Sequence, residues 1–245
     1  MSRRFIGTVA LLVFTLGCAS NTEKAVNELL EQVRLDDPQA NVTYQDNAEV
    51  VESPEALPLW INALENEESP QVRLWAARLL GRIGDPQAAT ALTAALNGPR
   101  AVRKAAAAAL LQIGEEYAED AFIAALQSGP RETHIECLVQ LEKMHSSKAL
   151  PTITKVAHSQ EPLVAESAVN ALGGIGDPAA VEPLIALATD QTLRMQVRHA
   201  AIINLGRLSG PEATAGLEQV VQELKQQDGA DTLLGLAQQT LKKSG

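Results

Sequence analysis

The residues of this 245-residue chain with chemistry to offer are two cysteines, four histidines and a set of arginines that recur at fixed places. His134, His145, His158 and His199 are scattered, none at zinc-ligand spacing or beside a nucleophile. They read as exposed helical histidines, so no metal is expected. The sequence has no phosphate-cradling loop, dinucleotide fingerprint or GxSxG elbow, and "LGGIGDP" (172–178) carries its glycines at a helix end with no strand before them. The expectation is a chain that is not an enzyme and uses no cofactor. Cys137 stands where equivalent segments place alanine, which makes it a small buried residue.

The arginines offer a different chemistry, the capture of carboxylates. Arg73, Arg103 and Arg198 each directly follow a recurring apolar site. Arg78, Arg82, Lys104, Lys143, Arg194 and Arg207, with Trp75 and His199 nearby in register, form a second set expected to line a partner-binding groove. The whole chain has 20 Lys and Arg against 30 Asp and Glu, a net charge of −10, which argues against nucleic acid as a partner. Five segments (70–83, 100–113, 130–144, 161–175 and 194–208) reverse that balance, holding eleven bases against Glu132, Glu136, Glu142, Glu161 and Glu166. Charge is therefore segregated, and the face these segments share should be basic.

A repeated phrase positions them. "VRLWAARLLGRIGDP" (72–86) returns as "VAESAVNALGGIGDP" (164–178), and Val72, Val102, Thr133, Val164 and Val197 are equivalent, spaced 30, 31, 31 and 33 residues apart. Small residues follow four places on (Ala76, Ala106, Cys137, Ala168, Ala201) and leucines eight places on (Leu80, Leu110, Leu141, Leu172, Leu205), one face of a helix. Gly84, Gly114 and Gly176 are placed to stop these helices in the left-handed conformation, and Asp85-Pro86 and Asp177-Pro178 to start the next. Between the phrases lie amphipathic stretches such as "EALPLWINAL" and "QAATALTAAL". With 46% apolar residues and 3% aromatics, the chain reads as all-α, and the alternation of the two helix types as an α-solenoid of helix pairs over 53–245. Trp60, on a first helix, is expected to pack.

The phrase resembles the short bacterial HEAT-like repeats also seen in phycobilin lyases, over about Ser53 to Lys243. The resemblance implies about six antiparallel helix pairs, with second helices lining a concave face and first helices outside; the last pair, "DTLLGLAQQTLKK", departs from the phrase and reads as a polar cap. It also implies that Arg73, Arg103 and Arg198 form an inter-repeat ladder with loop carboxylates. Repeat proteins of the deoxyhypusine hydroxylase type carry adjacent His-Glu pairs for iron. Here Ala200 follows His199, and Ile135 separates His134 from Glu136.

The N-terminus, "MSRRFIGTVALLVFTLGCAS", has the layout of a signal peptide over 1–17. "TLGC" resembles a bacterial lipobox, with Thr15 where that pattern usually has Leu. The resemblance implies lipidation of Cys18, and Ala19, not Asp, in the next place points to the outer membrane and a periplasm-facing protein. Residues 18–52 read as a tether: a short helix with Ala25, Val26, Leu29, Leu30 and Val33 on one face, then an acidic irregular linker (36–55) holding Pro38 and Pro54. The functional expectation is a lipid-anchored, non-enzymatic scaffold whose basic concave face binds an acidic segment of an envelope protein. The alternatives are an accessory, ligand-handling protein resembling the phycobilin lyases and a structural subunit of an envelope complex.

Overall fold

A computed structural model describes residues 20–244, so the leader and Cys18 lie outside the described residues. Among those residues there are fourteen α-helices and no strand. They come in antiparallel pairs: α1 (Asn21–Arg34) with α2 (Ala40–Val51), α3 (Leu57–Asn66) with α4 (Pro70–Ile83), α5 (Ala89–Ala95) with α6 (Arg100–Ile113), and α7 (Glu115–Ser128) with α8 (Arg131–Lys143). The series continues with α9 (Leu150–Val156) and α10 (Pro162–Ile175), α11 (Val181–Thr189) and α12 (Met195–Arg207), and α13 (Pro211–Leu224) and α14 (Asp231–Ser244). The six pairs from α3 onward match the repeat count expected from the sequence.

Turn chemistry sets the period. In α4 the Ser69 hydroxyl accepts from the Val72 amide, Pro70 occupies the first turn, and Gly84 ends the helix at φ 71°. Gly176 ends α10 in the same way at φ 76°. Asp85 and Asp177 accept from the amides of Gln87 and Ala179, both at 2.8 Å, and open short 3-10 turns rather than α-helices. The Ser147 hydroxyl, together with that amide bond, holds the Asp177 carboxyl below its ordinary value. Gly114 departs from expectation: its backbone (φ 156°, ψ 147°) keeps a positive φ but lies outside the left-handed helical region, because α7 starts at the very next residue with no Asp-Pro turn between. In the third repeat His145 replaces the capping glycine and still adopts φ 51°. That conformation costs a side chain about 1–2 kcal/mol, offset by a 2.9 Å contact of His145 Nδ1 with the Ile175 carbonyl of the next repeat.

The core is continuous from α1 to α14. Second helices α4 to α14 form one layer and first helices α3 to α13 the other, with the Val, Ala and Leu rows buried between them. Thr133 replaces the row's valine without leaving an orphaned hydroxyl, because its Oγ1 donates to the Leu96 carbonyl at 2.7 Å. Trp60 is fully buried, as expected of a packing residue, and its indole N–H donates to the Val51 carbonyl at 2.7 Å.

Helix spacing follows one position, the residue after the leucine row. Gly81 lets α6 approach so closely that a Cβ there would lie 2.8 Å from the Ala109 Cα, and Gly173 lets Asn204 of α12 sit on α10. Glu142, at that place in α8, is received by Gly174 opposite. Leu111 fills the place in α6, and the close backbone apposition of α4/α6, α8/α10 and α10/α12 is missing between α6 and α8. The layer has a seam there, bridged by α7.

Cys137 is fully buried in α8, in the small-residue row. Burial, with the charge of Glu136 adding and that of Arg103 opposing, pushes its thiol up to about 12. A raised folded-state value makes the thiol a source of stability below pH ~8.5 that is lost as pH climbs toward the folded value. Equilibrium unfolding should therefore show stability falling between pH 9 and 11 by up to about 1.4 kcal/mol per pH unit from this group, and Cys137→Ala should flatten that slope. An unchanged slope would remove Cys137 from the account.

The N-terminal segment corrects the tether reading. Residues 36–55 are not an irregular linker: α2 occupies most of them, and Pro38 and Pro54 fall just outside it. Its sequence shows little helical periodicity because it buries only Ala40 and Val51. It is held instead by docking, through the Trp60 bond and through contacts of Tyr44 described below. Helix α1, expected from its apolar stripe, packs on α4, so the solenoid's core begins at Ala25 rather than near residue 53.

Candidate binding face

The positions that point outward from the second-helix layer recur with the repeat. The residue before the valine row contributes Gln71, Ala101, Glu132, Leu163 and Gln196, and the second after it Leu74, Lys104, Ile135, Glu166 and His199. The sixth after it contributes Arg78, Ala108, Val139, Asn170 and Ile203. Two open clefts run between neighbouring helices at these positions. One, about 470 Å3, lies between α4 and α6 and is lined by Arg78, Arg82, Lys104 and Gln112 over an alanine floor. The other, about 500 Å3, lies between α10 and α12 with Glu166, Asn170, Met195, His199 and Arg207 on its walls.

The expected groove residues thus divide. Arg78, Arg82 and Lys104 come together in the first cleft, His199 and Arg207 in the second, and Lys143 is exposed at the end of α8 away from both. Arg78 and Lys104 are exposed and make no ion pair among the described residues. Arg194 spends its guanidinium on the Gln160 carbonyl at 2.5 Å, and Arg207 donates to Asn204 Oδ1 at 3.0 Å. Buried Asn204 also donates to Asn170 Oδ1 at 2.8 Å and to the Ala200 carbonyl, tying α12 to α10.

Trp75 and Arg82 meet the N-terminal pair, a connection the sequence reading did not contain. The Tyr44 ring stands edge-on to Trp75, centroids 5.7 Å apart, and Arg82 lies 5.3 Å over the same ring. Arg82 also pairs with Glu52 at 3.0 Å, and the Tyr44 hydroxyl donates to that carboxylate. Burial, then Glu52, raises the Tyr44 phenol above its ordinary value. Exposed ion pairs of this kind contribute ~0–1 kcal/mol, so the cluster positions α2 over Trp75 more than it stabilises the fold. A tyrosine thirty-odd residues upstream of the aromatic it covers carries no local signal.

The three arginines expected to form an inter-repeat ladder with loop carboxylates instead bond backbone carbonyls within their own helix pairs. Arg73 Nε donates to the Leu64 carbonyl at 3.0 Å, Arg103 to the Gly98 carbonyl at 3.1 Å, and Arg198 Nε to the Ala188 carbonyl at 3.0 Å. These are carbonyls at or just past the end of the preceding helix, which lack intrahelical donors and carry the negative end of the helix dipole, so they outcompete loop carboxylates for a partly buried fork. Only Arg198 reaches onward, to Gln227 Oε1 at 2.5 Å. Its burial lowers the guanidinium's value, with Asp190 opposing.

The face is consequently not uniformly basic. Its α4/α6 end is, but α8 presents Glu132 and Glu136 around Ile135 and Val139, and α10 presents Glu166. Among the histidines, His199 and His158 are exposed, the latter 3.8 Å from Asp190. His134 is partly buried, which lowers its value. No three of His, Cys, Asp and Glu cluster as metal ligands among the described residues.

A curated relative, the uncharacterized phycocyanin operon protein Z of Pseudanabaena tenuis (strain PCC 7409), is 28% identical over 166 residues, 64% of this chain and 81% of its own. Similar solved structures include human deoxyhypusine hydroxylase in complex with glycerol (19% identity, TM-score 0.43, covering 90% of this chain and 89% of that one). The CpcE–CpcF complex of phycocyanin lyase from Nostoc sp. PCC7120 gives 19% identity and TM-score 0.41, with 98% and 99% covered. An archaeal HEAT-like repeats protein from Thermococcus onnurineus NA1 gives 15% and 0.42, with 92% and 100% covered. The family described as HEAT repeats matches residues 57–132 and 119–196, more than half the chain, and over those residues α3 to α11 build the two-layer stack described above. This chain belongs to the HEAT-repeat family.

Proposed function

We propose that this protein is a non-enzymatic binding scaffold that holds a segment of a partner protein against its second-helix face, tethered to the bacterial envelope through acyl chains on Cys18. The observation that carries the reading is the cleft between α4 and α6, where Arg78 and Lys104 stand exposed and, among the described residues, without ion-pair partners. Exposed cations beside an apolar floor attract carboxylates and speed encounter more than they raise affinity, so binding should weaken with salt. The tether rests on the basic start, the apolar run and the Gly17-Cys18 placement.

A photo-crosslinking residue at Ala108, in the cleft, should trap a discrete protein adduct in cells, and the same residue at exposed Ala124 of α7 should not. Arg78→Glu with Lys104→Glu should abolish the adduct. The native chain should sediment with membranes and Cys18→Ala should not. Equal adducts at both sites, or none at Ala108, would reject the scaffold reading.

A second reading is favoured by the operon-protein relative, which this chain matches over most of that protein's length: an accessory role in handling a phycobilin. It requires a coloured, tetrapyrrole-bound species on co-expression with the pigment, and no protein adduct at Ala108.

A further inference from the structure

We infer that the second-helix face takes a partner segment of fixed polarity: carboxylates over α4 and α6, apolar side chains over the seam between α6 and α8, and basic residues over α8 and α10. The inference rests on the scaffold reading and names the partner's chemistry.

Two independent observations support it. The first is the order of charge along the layer. Arg78 and Lys104 belong to the two helices on one side of the seam, and Glu132, Glu136 and Glu166 to the two on the other. Glu142, also on α8, is turned against Gly174, and the two bases of that helix, exposed Arg131 and Lys143, stand at its opposite ends. At the α12 end Arg194 and Arg207 are already held by Gln160 and Asn204, so they do not extend a second basic site of comparable freedom. A segment laid across the seam therefore crosses from a positive to a negative surface. In the reverse orientation it would set like charges together at both ends, which is how an interface excludes the wrong register.

The second is where apolar side chains reach solvent. Eight large ones are exposed among the described residues, and five of them, Leu111, Val139, Leu163, Met195 and Ile203, lie on α6, α8, α10 and α12. Single exposed leucines need no explanation, but a concentration on one layer of a solenoid marks a contact surface. Leu111 of α6 and Val139 of α8 belong to the two helices that do not close on each other, and Ile135 lies beside Val139. Charge alone would suit any acidic surface; charge change together with an apolar centre selects a short amphipathic segment.

The spacing is set by the fold. Packed helices lie about 8–10 Å apart and an extended chain advances about 3.3 Å per residue. An extended segment reaching from the α4/α6 cleft therefore separates its acidic and basic residues by at least roughly four positions when it ends on α8 and about eight on α10, the α6/α8 step being wider than a packed one.

Random-peptide display against the full-length chain tests this without a known ligand. Enriched sequences should carry an acidic cluster and a basic cluster about four to eight residues apart, with apolar residues between and one consistent direction. Arg78→Glu with Lys104→Glu should cut binding of an enriched peptide at low salt by about tenfold or more, and Glu132→Lys with Glu136→Lys should do the same. A peptide with its two charged blocks exchanged should regain affinity for the quadruple reversal. Enrichment with no charge order, or enriched peptides indifferent to both reversals, would overturn the polarity, as would failure to enrich any peptide. If Ala108 adducts form in cells while any of these occurs, the polarity fails and the scaffold reading stands. If Ala108 adducts are also absent, both fail.

Discussion

A Gly173→Leu chain is expected to lose about 3 kcal/mol of stability, since overpacking a fitted site costs this much. A Cβ at Gly173 would lie 2.4 Å from Asn204 Oδ1 and 2.5 Å from Asn204 Cβ, and the second contact cannot be relieved by rotating the side chain. Helix α12 must move, and its movement breaks the 2.8 Å bond from Asn204 to Asn170. Urea unfolding would report the loss. Asn204→Ala in the same chain should restore only part of it, because it removes Oδ1 and Cγ but leaves the Cβ. A loss below about 1 kcal/mol would mean that α10 and α12 can part without consequence, and that the glycine after the leucine row does not set helix spacing.

Trp60→Ala is expected to cost about 3–5 kcal/mol, the range for emptying a fully buried aromatic site. Its more informative companion is Trp60→Phe. Most of the burial survives, but the Val51 carbonyl at the end of α2 loses its donor. An unsatisfied buried carbonyl costs about 1–3 kcal/mol, and here the loss should be paid locally. Helix α2 buries only Ala40 and Val51, so proteolysis within 36–55 should accelerate while the remaining repeats keep their protection. Protease resistance in that segment unchanged by Trp60→Phe would show that the Tyr44 cluster alone holds α2 in place.

Most of the solenoid was legible because its information is local and repeated. The valine, alanine and leucine rows, the glycine stops at Gly84 and Gly176 and the Asp-Pro starts each restate the same helix-turn-helix geometry. What was not legible depends on distant residues. Helix α2 has too small an apolar face to announce itself, and it forms because Trp60 and Trp75 receive it. The ladder arginines were recognised by register, but their partners were not: the competition between a loop carboxylate and an orphan helix-end carbonyl is decided by burial. Summed charge over five helices gave the right total and the wrong distribution, since Arg73, Arg103, Arg194 and Arg198 donate to backbone carbonyls and the acids concentrate on α8 and α10. Arg78 and Lys104 could be read in advance as exposed because each falls on the polar side of an otherwise clean apolar period.

Leu111 has a consequence for how the molecule yields. A stack of repeats normally shares strain evenly, each interface giving a little. With α6 and α8 held apart, the blocks on either side can loosen separately, so that opening fluctuations should fall into two cooperative units divided near α7. Amide exchange would then sort into two protection classes, and pulling the ends of the chain would extend it first at this junction. The compliance lies where Leu111 and Val139 face solvent, so the surface best suited to contact is also the place where the solenoid bends most cheaply.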